Sequence, residues 1–343
     1  MLENSLEAFG VLENVDLTCM NTFGVKAVAK YFVEIDNSDR IKALMHWAKD
    51  RHIKTFVLGG GSNILFTQDF DGLVIRMVAD GMTVVDENDD FVFLRVDAGR
   101  SWTQTVDDCL ARGWYGVENL ALVPGTVGGA AVQNIGAYGM EVAEVIREVT
   151  CFDPETESEV TLAVDECDYG YRTSIFKTAK KHLIVTSVLL ALPKTFVPVV
   201  GYKELAAVFK GQMPVSAIEV ADAVKAIRRK KLPDPAVIGN AGSFFKNPVV
   251  SRIKMVSLLE ETPQIVSYPL AGGRAKLAAG WLIDAVGLKG KRVGDAGVYE
   301  HQALVLVNYG NATGAEIKAL ADEVAFIVKR RFGVVLEPEP VII

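Results

Sequence analysis

The hydrophobic pattern of the chain changes between a helical and a strand period, which predicts a mixed α and β fold. Residues 38–52 place apolar side chains at helical spacing, and the run at residues 55–58 that follows is rich in β-formers. Three later segments, residues 74–78, 82–85 and 91–96, are also β-rich and are separated by Asp, Asn and Gly breaks. Such breaks between short apolar segments predict meandering strands.

Capping signals and glycine stops predict further elements. A helix is predicted from Ser101 because its apolar positions precede a stop at Gly113. Capping boxes at Ser216–Glu219 and Thr313–Glu316 predict two more helix starts. The remaining predicted elements are one amphipathic helix and four strands, at residues 278–286 for the helix and 145–152, 183–192, 303–307 and 334–336 for the strands.

Two glycine-rich segments indicate a bound nucleotide-like cofactor. The first, residues 59–63, lies between two predicted strands and lacks the following helix that a dinucleotide-binding GxGxxG loop requires, so a Rossmann fold is excluded there. Its unobstructed N–H groups can still wrap a phosphate. The second, residues 124–130 with 133–139, suits a flat or diphosphate-bearing ligand. The alternatives are a glycine-rich β-turn for the first segment and close backbone packing for the second.

Residues 240–248 have the composition of a catalytic segment. Ser243 lies between a glycine and two aromatic residues, and a lysine and an asparagine follow within five positions. Glycine allows close backbone access and aromatic side chains exclude water, whereas a serine needed only for solubility requires neither. The sequence therefore predicts that the Ser243 hydroxyl belongs to a site.

Two charged residues each leave two interpretations open. Arg172 is flanked by aromatic and apolar residues, so its guanidinium either pairs with a structural carboxylate or receives an anionic substrate. Glu339 lies between two prolines before an apolar tail. It is either an exposed terminal acid or a carboxyl held in an apolar setting that favours the protonated form, as a general acid requires. The basic residues 228–231 are expected to be a solvated helix end, although one of them can face a diphosphate.

Composition excludes several classes of protein. The 343 residues are 50% hydrophobic, enough for a sizeable core and two or three domains. The net charge of −7 comes without a sustained basic stripe, so we expect no nucleic-acid partner. The four cysteines lack CxxC spacing and the four histidines lack ligand spacing, which predicts reduced thiols of a cytoplasmic protein and no metal site. The acidic start at residues 1–7 and the lack of a long apolar run predict neither export nor membrane insertion.

Several motifs together resemble the UDP-N-acetylenolpyruvoylglucosamine reductase family, flavoenzymes of bacterial peptidoglycan precursor synthesis. The motifs are GGGSN (59–63), PGTVGGA (124–130), YRTSIFK (171–177), KLPDP (231–235), GNAGSFFKNP (239–248), AGWLID (279–284) and LEPE (336–339). The resemblance implies an α+β fold. Residues 15–200 would form a two-lobed FAD-binding unit (about 15–75 and 76–200) similar to flavoproteins of the vanillyl-alcohol oxidase type. Residues 215–343 would form an α+β substrate-binding domain, with the last strand and tail returning toward the active site.

The resemblance implies FAD and NADPH as cofactors and a UDP-sugar as substrate. It assigns FAD binding to residues of the two glycine-rich segments: Gly59, Gly60, Gly61, Ser62, Asn63, Ile64, Pro124, Gly125, Thr126, Gly128, Gly129, Ala130, Asn134, Gly136 and Ala137. In the family, NADPH reduces FAD, and the enolpyruvyl group then receives the hydride and a proton. Ser243 is the implied proton donor, Arg172 the cation for the developing enolate, and Glu339 a protonated hydrogen-bond donor. Nucleotide and sugar binding is assigned to Tyr202, Lys231, Asn247 and Gln302.

One position departs from the family pattern. Members of the longer branch, which this chain resembles through the tyrosine-bearing loop at Tyr202, often carry an arginine two residues past the terminal glutamate. This chain has Val341 there, which leaves more of the anion stabilisation to Arg172. Two other functions remain open, an FAD-dependent oxidase of the vanillyl-alcohol oxidase type and a non-enzymatic nucleotide-binding protein. We expect a monomer.

Overall fold

The computed structural model describes Leu6, residues 9–37 and residues 39–343. Most of the acidic start and Ser38, the first residue of a predicted helix, lie outside the described residues. The helices are α1 Asp39–Asp50, α2 Trp102–Ala111, α3 Val127–Gln133, α4 Lys203–Phe209, α5 Ala217–Lys231, α6 Arg252–Glu261, α7 Ala279–Ala285 and α8 Gly314–Phe332. The strands are β1 Leu12–Asp16, β2 Val28–Ile35, β3 Thr55–Leu58, β4 Ile64–Leu65, β5 Phe70–Met77, β6 Met82–Glu87, β7 Phe91–Asp97, β8 Gly136–Ala137, β9 Met140–Glu141, β10 Ile146–Asp153, β11 Ser158–Ala163, β12 Ile184–Pro193, β13 Gly239–Ser243, β14 Val249–Val250, β15 Ser267–Pro269, β16 Ala275–Leu277, β17 Arg292–Val293, β18 Ala296–Val298, β19 Val305–Asn308 and β20 Val341–Ile342.

The chain divides into two compact units, and each is built from separate stretches. The first unit contains the described residues up to Val15, Ala29–Gly61 and Phe70–Lys230, and the second contains Asp16–Val28, Ser62–Asp69 and Lys231–Ile343. These boundaries differ from the predicted domains, 15–200 and 215–343. Helix α5 belongs to the first unit because its buried residues, such as Val220 and Val224, join the core of that unit.

A four-stranded sheet with a parallel centre forms one part of the first unit. Its strand order is β1–β2–β5–β3, and both β2 and β3 run parallel to β5. Helix α1 connects β2 to β3 and buries Ile41, Leu44 and Ala48, which confirms the helical pattern of the sequence. The prediction that residues 74–78 belong to a meander is wrong. Residues 74–77 lie in β5, whose central residues are buried on both faces, as is typical of a parallel strand.

The other large sheet of the first unit is antiparallel, with the strand order β11–β10–β12–β7–β6. Val92, Leu94 and Val96 of β7 are buried while the residues between them are partly exposed, which confirms the alternation seen in the sequence. Helix α2 begins as predicted, because the Ser101 hydroxyl caps it by accepting the N–H of Gln104 at 3.4 Å.

The second unit combines small antiparallel sheets with the long helix α8. The sheet orders are β13–β19–β18–β17 and β14–β16–β15, and β20 pairs with β4. The predicted capping box of α8 is confirmed: Thr313 Oγ1 accepts the N–H of Glu316 at 3.2 Å, and Glu316 accepts the N–H of Thr313 at 2.7 Å. The box predicted for α5 is confirmed in one half, because Ser216 Oγ accepts the N–H of Glu219 at 3.3 Å, whereas the Glu219 carboxylate accepts the N–H of Val215 at 2.9 Å.

The strand predicted at residues 334–336 is wrong. Val334 and Leu336 are buried and Val335 is 58% exposed, so the alternation itself is present. The segment nevertheless forms no ladder, and strand β20 at Val341–Ile342 follows instead. Two prolines separate these segments and cannot donate N–H groups, which limits pairing there to a single bridge between Phe245 and Pro338. Among the described residues, no helix is long and apolar enough to cross a membrane.

The cysteines give a testable consequence of this packing. Burial raises the pKa of Cys109 and Cys151 to about 12 and that of Cys167 to about 11, whereas Cys19 is exposed. The thiolate is the reactive form, so an aromatic disulfide reagent at pH 8 should titrate one thiol quickly in the native protein and four after denaturation. Cys19→Ser should remove the fast phase. A fast reaction of two or more thiols in native protein would contradict this packing.

Candidate active site

Ser243 lies at the end of β13, beside a bulge. In the pairing of β13 with β19, Asn240 lies opposite Val307 and Ser243 lies opposite Val305. The chain therefore advances three residues along β13 but only two along β19, which places one extra residue in β13. Gly242 takes a φ of 68° inside the bulge, a conformation that favours glycine. Bulges re-aim side chains and are frequent next to functional sites. Ser243 is half-buried, and its hydroxyl has no hydrogen-bond partner within the described part of the chain.

The residues after Ser243 pair with the C-terminal tail. The N–H of Glu339 donates to the carbonyl of Phe244 at 2.8 Å, so the backbone of this glutamate lies directly across from the residue that follows the serine. Phe244 is 0% and Phe245 2% exposed, and their rings meet edge to face at 5.1 Å. The second unit therefore brings Ser243 and a half-buried Glu339 together beside an aromatic core.

The tail is held on its other side by the end of the first glycine-rich segment. The N–H of Val341 donates to the carbonyl of Asn63 at 3.0 Å, and the Asn63 amide donates to the carbonyl of Glu339 at 3.4 Å. Ile64 pairs with Val341 in the parallel β4–β20 ladder. Ser62, Asn63 and Ile64, predicted to bind the cofactor, thus belong to the unit that holds Glu339. Glu339 lies on a paired segment, which disfavours the alternative of an exposed terminal acid.

Within the first unit, the two glycine-rich segments approach so closely that a side chain on Gly59 or Gly60 would not fit. A Cβ on Gly60 would lie 2.9 Å from the Cα of Gly125, and a Cβ on Gly59 would lie 2.8 Å from Thr126 Oγ1. Gly125 has a φ of 118°, which other residues avoid. The result is a surface of bare backbone that fits a diphosphate or a flat ring, as FAD has. The other residues predicted for the second segment lie beside it, at Gly61, Pro124, Gly128, Gly129 and Ala130.

Gly60→Ala tests this glycine surface. The added methyl would press on backbone atoms, which yield less easily than a flexible side chain, so the two segments must separate. We expect flavin affinity to fall by about tenfold or more, equivalent to about 1.4 kcal/mol. The flavin content of purified protein and a flavin titration of the apoprotein measure this. Gly201→Ala is the matched control, because its Cβ meets nothing within 4 Å. Equal flavin affinity of the two variants would exclude a role of Gly60 in the cofactor site.

Arg172 lies at the tip of a two-residue turn in the first unit. Gly170 and Thr173 exchange two hydrogen bonds of 3.1 Å and leave Tyr171 and Arg172 as the central residues. Arg172 has a φ of 55°, a left-handed conformation that costs a residue with a Cβ roughly 1–2 kcal/mol. Its guanidinium donates to the carbonyl of Gly136 and lies over the Tyr171 ring, 5.3 Å from the centroid. The turn therefore fixes a half-buried cation in one direction, as anion stabilisation requires.

Asn134 supports this turn. Its amide donates to the carbonyl of Gly170 at 3.0 Å and to Glu141 at 2.9 Å, and its Oδ1 accepts the N–H of Ala143 at 3.2 Å. The residue is fully buried, so both amide hydrogens serve the protein. Because the side chain of Asn134 is used within the protein, only its backbone remains for the predicted binding of FAD, and this stays a prediction. Gly136 and Ala137, also assigned to FAD, form β8.

Tyr138 and Arg228 lie in segments that the sequence indicated, but neither was predicted individually as a site residue. Their side chains share a hydrogen bond, and burial is the main cause that raises the pKa of Tyr138 and lowers the pKa of Arg228. The nearby charge of Arg172 also lowers the pKa of Arg228. Arg228 is an exception to the solvated helix end, which was expected for most of residues 228–231. It lies one helical turn after the buried Val224, and that spacing was the signal in the sequence.

The residues assigned to the UDP-sugar lie at three helix ends. Asn247 Oδ1 accepts the first N–H of α7 at 2.9 Å, and Gln302 Oε1 lies 3.1 Å from where a Cβ on Gly280 would be. The second unit therefore brings Asn247 and Gln302 to the same turn of α7. Lys231 is the last residue of α5, and Tyr202 is the N-cap residue of α4 in the first unit, 40% exposed.

One surface group in the described residues has metal-ligand chemistry. Ligand atoms of Asp153, Glu155 and His182 lie within 4.8 Å of one another. Sequence spacing did not indicate this group, because His182 reaches it from a distant part of the chain. Exposed acidic groups commonly bind no metal, and we assign none to it.

Comparison with known proteins agrees with this arrangement. Residues 29–161 match the family described as FAD binding domain, and residues 234–343 match the C-terminal domain family of UDP-N-acetylenolpyruvoylglucosamine reductase. A relative from Chromobacterium violaceum with the name UDP-N-acetylenolpyruvoylglucosamine reductase is 48% identical over 96% of this chain and 98% of its own length. A relative of the same name from Neisseria gonorrhoeae is 46% identical over 95% of both chains.

A solved structure supports the fold independently. The crystal structure of UDP-N-acetylenolpyruvylglucosamine reductase from Thermus caldophilus superposes with a TM-score of 0.67 at 24% identity, covering 96% of this chain and 98% of that one. The fold is therefore α+β, with an FAD-binding domain followed by the C-terminal domain of that enzyme. The identities and coverage of the relatives leave one assignment: the chain belongs to the UDP-N-acetylenolpyruvoylglucosamine reductase family.

Proposed function

We propose that this chain catalyses the NADPH-dependent reduction of the enolpyruvyl group of UDP-N-acetylenolpyruvoylglucosamine to give UDP-N-acetylmuramate. Its relatives over nearly the whole chain carry the name of that reductase, and an FAD-binding domain matches its N-terminal half. The observation that carries the proposal is the backbone pairing of Glu339 with the residue after Ser243. This pairing supports the proposal because it keeps the backbones of the two residues close together, beside the buried rings of Phe244 and Phe245.

The residues present fit the cofactor and the chemistry. The bare backbone of Gly59, Gly60 and Gly125 would hold FAD, which when bound carries the hydride from NADPH to the terminal vinyl carbon of the substrate. The hydride leaves negative charge on the substrate as an enolate. Ser243 donates the proton that converts the enolate to product. A serine hydroxyl is a weak acid, but an enolate is a strong base, and exclusion of water by Phe244 favours the transfer.

Two side chains stabilise the enolate before the proton arrives. Arg172 supplies the positive charge, and its turn holds the guanidinium before substrate binds, so little reorganisation is needed. Glu339 acts as a hydrogen-bond donor in its protonated form, because an ionised carboxylate would repel the same charge. Tyr202, Lys231, Asn247 and Gln302 bind the UDP-sugar, Lys231 as a point charge for the diphosphate.

Further features of the proposal follow from the activity. The product is a peptidoglycan precursor, so the protein serves cell-wall biogenesis, and through it cell shape and division. Its substrates are cytoplasmic nucleotides, which agrees with the composition of the chain and with a cytoplasmic location. We propose a monomer, because FAD and UDP-sugar residues are all supplied by one chain.

Steady-state turnover tests this function. Purified protein should be yellow and should consume NADPH only when the enolpyruvyl UDP-sugar is present, with UDP-N-acetylmuramate as product by mass spectrometry. The oxidase alternative instead predicts oxygen consumption with an alcohol substrate. A binding protein without activity predicts a colourless preparation or binding without turnover. Either result would overturn the proposal.

A further inference from the structure

The segment that connects β12 to α4 carries Tyr202 and is packed onto the first unit at several points. It has no helix or strand between Lys194 and Gly201. Near its start, the Phe196 ring meets the Tyr115 ring at 5.7 Å. At its end, the Tyr202 ring meets the Tyr138 ring edge to face at 5.4 Å. Segments without regular structure are usually mobile. Ring contacts near the two ends alone would leave the middle of this segment free to move, so a further contact is needed to fix it.

Asn119 provides that anchor at the middle of the segment. Its side-chain amide donates to the carbonyl of Val199 at 2.7 Å and to the carbonyl of Tyr138 at 2.8 Å. One buried amide group thus binds both the segment before Tyr202 and the turn against which Tyr202 packs. Asn119 is 1% exposed, so water cannot replace these bonds if the amide is removed.

Tyr138 lies in a tight turn whose backbone conformation is unfavourable for a tyrosine. Tyr138 and Gly139 have φ values of 49° and 92° and connect β8 to β9, the pattern of a tight hairpin turn. A tyrosine costs more there than the usual asparagine or glycine. An unfavourable backbone conformation at a bulky residue points to a role of that side chain. In this structure, the Tyr138 ring contacts Tyr202 and its hydroxyl interacts with Arg228.

Asn119 itself lies on a rigid support. It is the central residue of a short 3-10 helix, Glu118–Leu120. The indole N–H of Trp102 donates to the carbonyl of Leu120 at 3.2 Å, and the Glu118 carboxylate accepts the N–H of Gly116 at 2.7 Å. Both neighbours of Asn119 are therefore held, and the amide can act as a fixed point for the segment.

We propose that Asn119 is a positioning residue that holds Tyr202 ready for the UDP-sugar. This inference rests on the proposed function, since it takes the UDP-sugar as the ligand of Tyr202. Asn119 touches neither substrate nor cofactor in this account. It acts through the carbonyls of Val199 and Tyr138, so its loss should affect binding of the UDP-sugar and leave reaction with NADPH unchanged.

The test compares holoenzyme variants in both half-reactions. Asn119→Ala should raise the KM for the UDP-sugar about tenfold, since the loss of buried hydrogen bonds commonly costs that much, and should change kcat less than KM. Flavin reduction by NADPH should stay within about twofold of wild type. In a Tyr202→Ala background, Asn119→Ala should have little further effect, because the residue that it positions is gone. Val197→Ala is the matched control, since Val197 lies in the same segment and is 70% exposed.

Limited proteolysis provides a readout that does not depend on activity. Trypsin should cleave after the exposed Lys203 faster in Asn119→Ala than in wild type. If Asn119→Ala fails to fold, Phe196→Ala answers the same question by loosening the start of the segment, with the same expected rise in KM and in cleavage.

Three results would overturn the inference. The first is that the effects of Asn119→Ala and Tyr202→Ala on the KM for the UDP-sugar are additive in the double variant. The others are that Asn119→Ala changes neither this KM nor the rate of cleavage, or that it slows both half-reactions equally. Failure of the proposed function looks different, because wild type itself would then not reduce the UDP-sugar while the proteolysis difference would remain.

Discussion

Ser243→Ala should reduce the rate of enolpyruvyl reduction by about a thousandfold or more and leave flavin reduction by NADPH almost unchanged. General acid catalysis typically contributes 10²–10⁴-fold, and no other hydroxyl lies on this segment, residues 239–248, to replace the donor. Alanine fits the position because Ser243 is half-buried and its hydroxyl binds no described residue, so the fold should tolerate the change. Stopped-flow measurement of each half-reaction gives both rates.

Ser257→Ala is the matched control for this experiment. Ser257 is also half-buried and lies in the same unit, on α6, so it reports the effect of removing a hydroxyl outside the site. It should behave as wild type in both half-reactions. Equal losses in the two half-reactions of Ser243→Ala would assign Ser243 to folding or cofactor binding and would remove it as the proton donor.

Arg172→Gln should lower the rate of the second half-reaction by about 10²–10³-fold, the effect usual for loss of one charge-stabilising donor. The arginine usual in the longer branch of the family is absent at Val341, so we expect this chain to depend strongly on Arg172. Arg172→Lys should recover part of the rate because it keeps the charge but loses the planar fork that reaches Gly136.

The kinetic pattern separates two roles of Arg172. An effect on kcat with little change in KM indicates stabilisation of the enolate, whereas a rise in KM alone indicates binding of the substrate carboxylate. Rates equal to wild type in both Arg172 variants would contradict the assignment. The anion would then have to be stabilised by another cation, and the nearby Arg228 would be the first to test.

Local patterns in the sequence predicted several of the helices and strands of the fold. Helix α1, the cap of α2 and the capping box of α8 depend on residues a few positions apart, so period and capping chemistry were sufficient. Strand 334–336 failed because pairing depends on a distant partner, and alternation alone does not provide one. The same reason explains β5, whose parallel partners β2 and β3 could not be identified from its own residues.

Motifs led to the residues proposed for the chemistry but not to the residues that support them. Ser243, Arg172 and the glycine segments carry distinctive local composition. Asn119 lies in a segment of ordinary composition, and its role comes from hydrogen bonds to distant residues. Tyr138 lies in a glycine-rich segment, but its ring contact with Tyr202 could not be derived from that composition. The division into two units was also beyond local reasoning, because residues 16–28 and 62–69 pack with the C-terminal part of the chain.

Anaerobic titration of the flavin tests directly whether this chain reduces the enolpyruvyl UDP-sugar. NADPH added to the purified protein should bleach the flavin absorption, and subsequent addition of the enolpyruvyl UDP-sugar, after removal of excess NADPH, should restore it with one equivalent of product. Flavin that bleaches but is not reoxidised by the UDP-sugar would contradict the claim that this chain is the reductase.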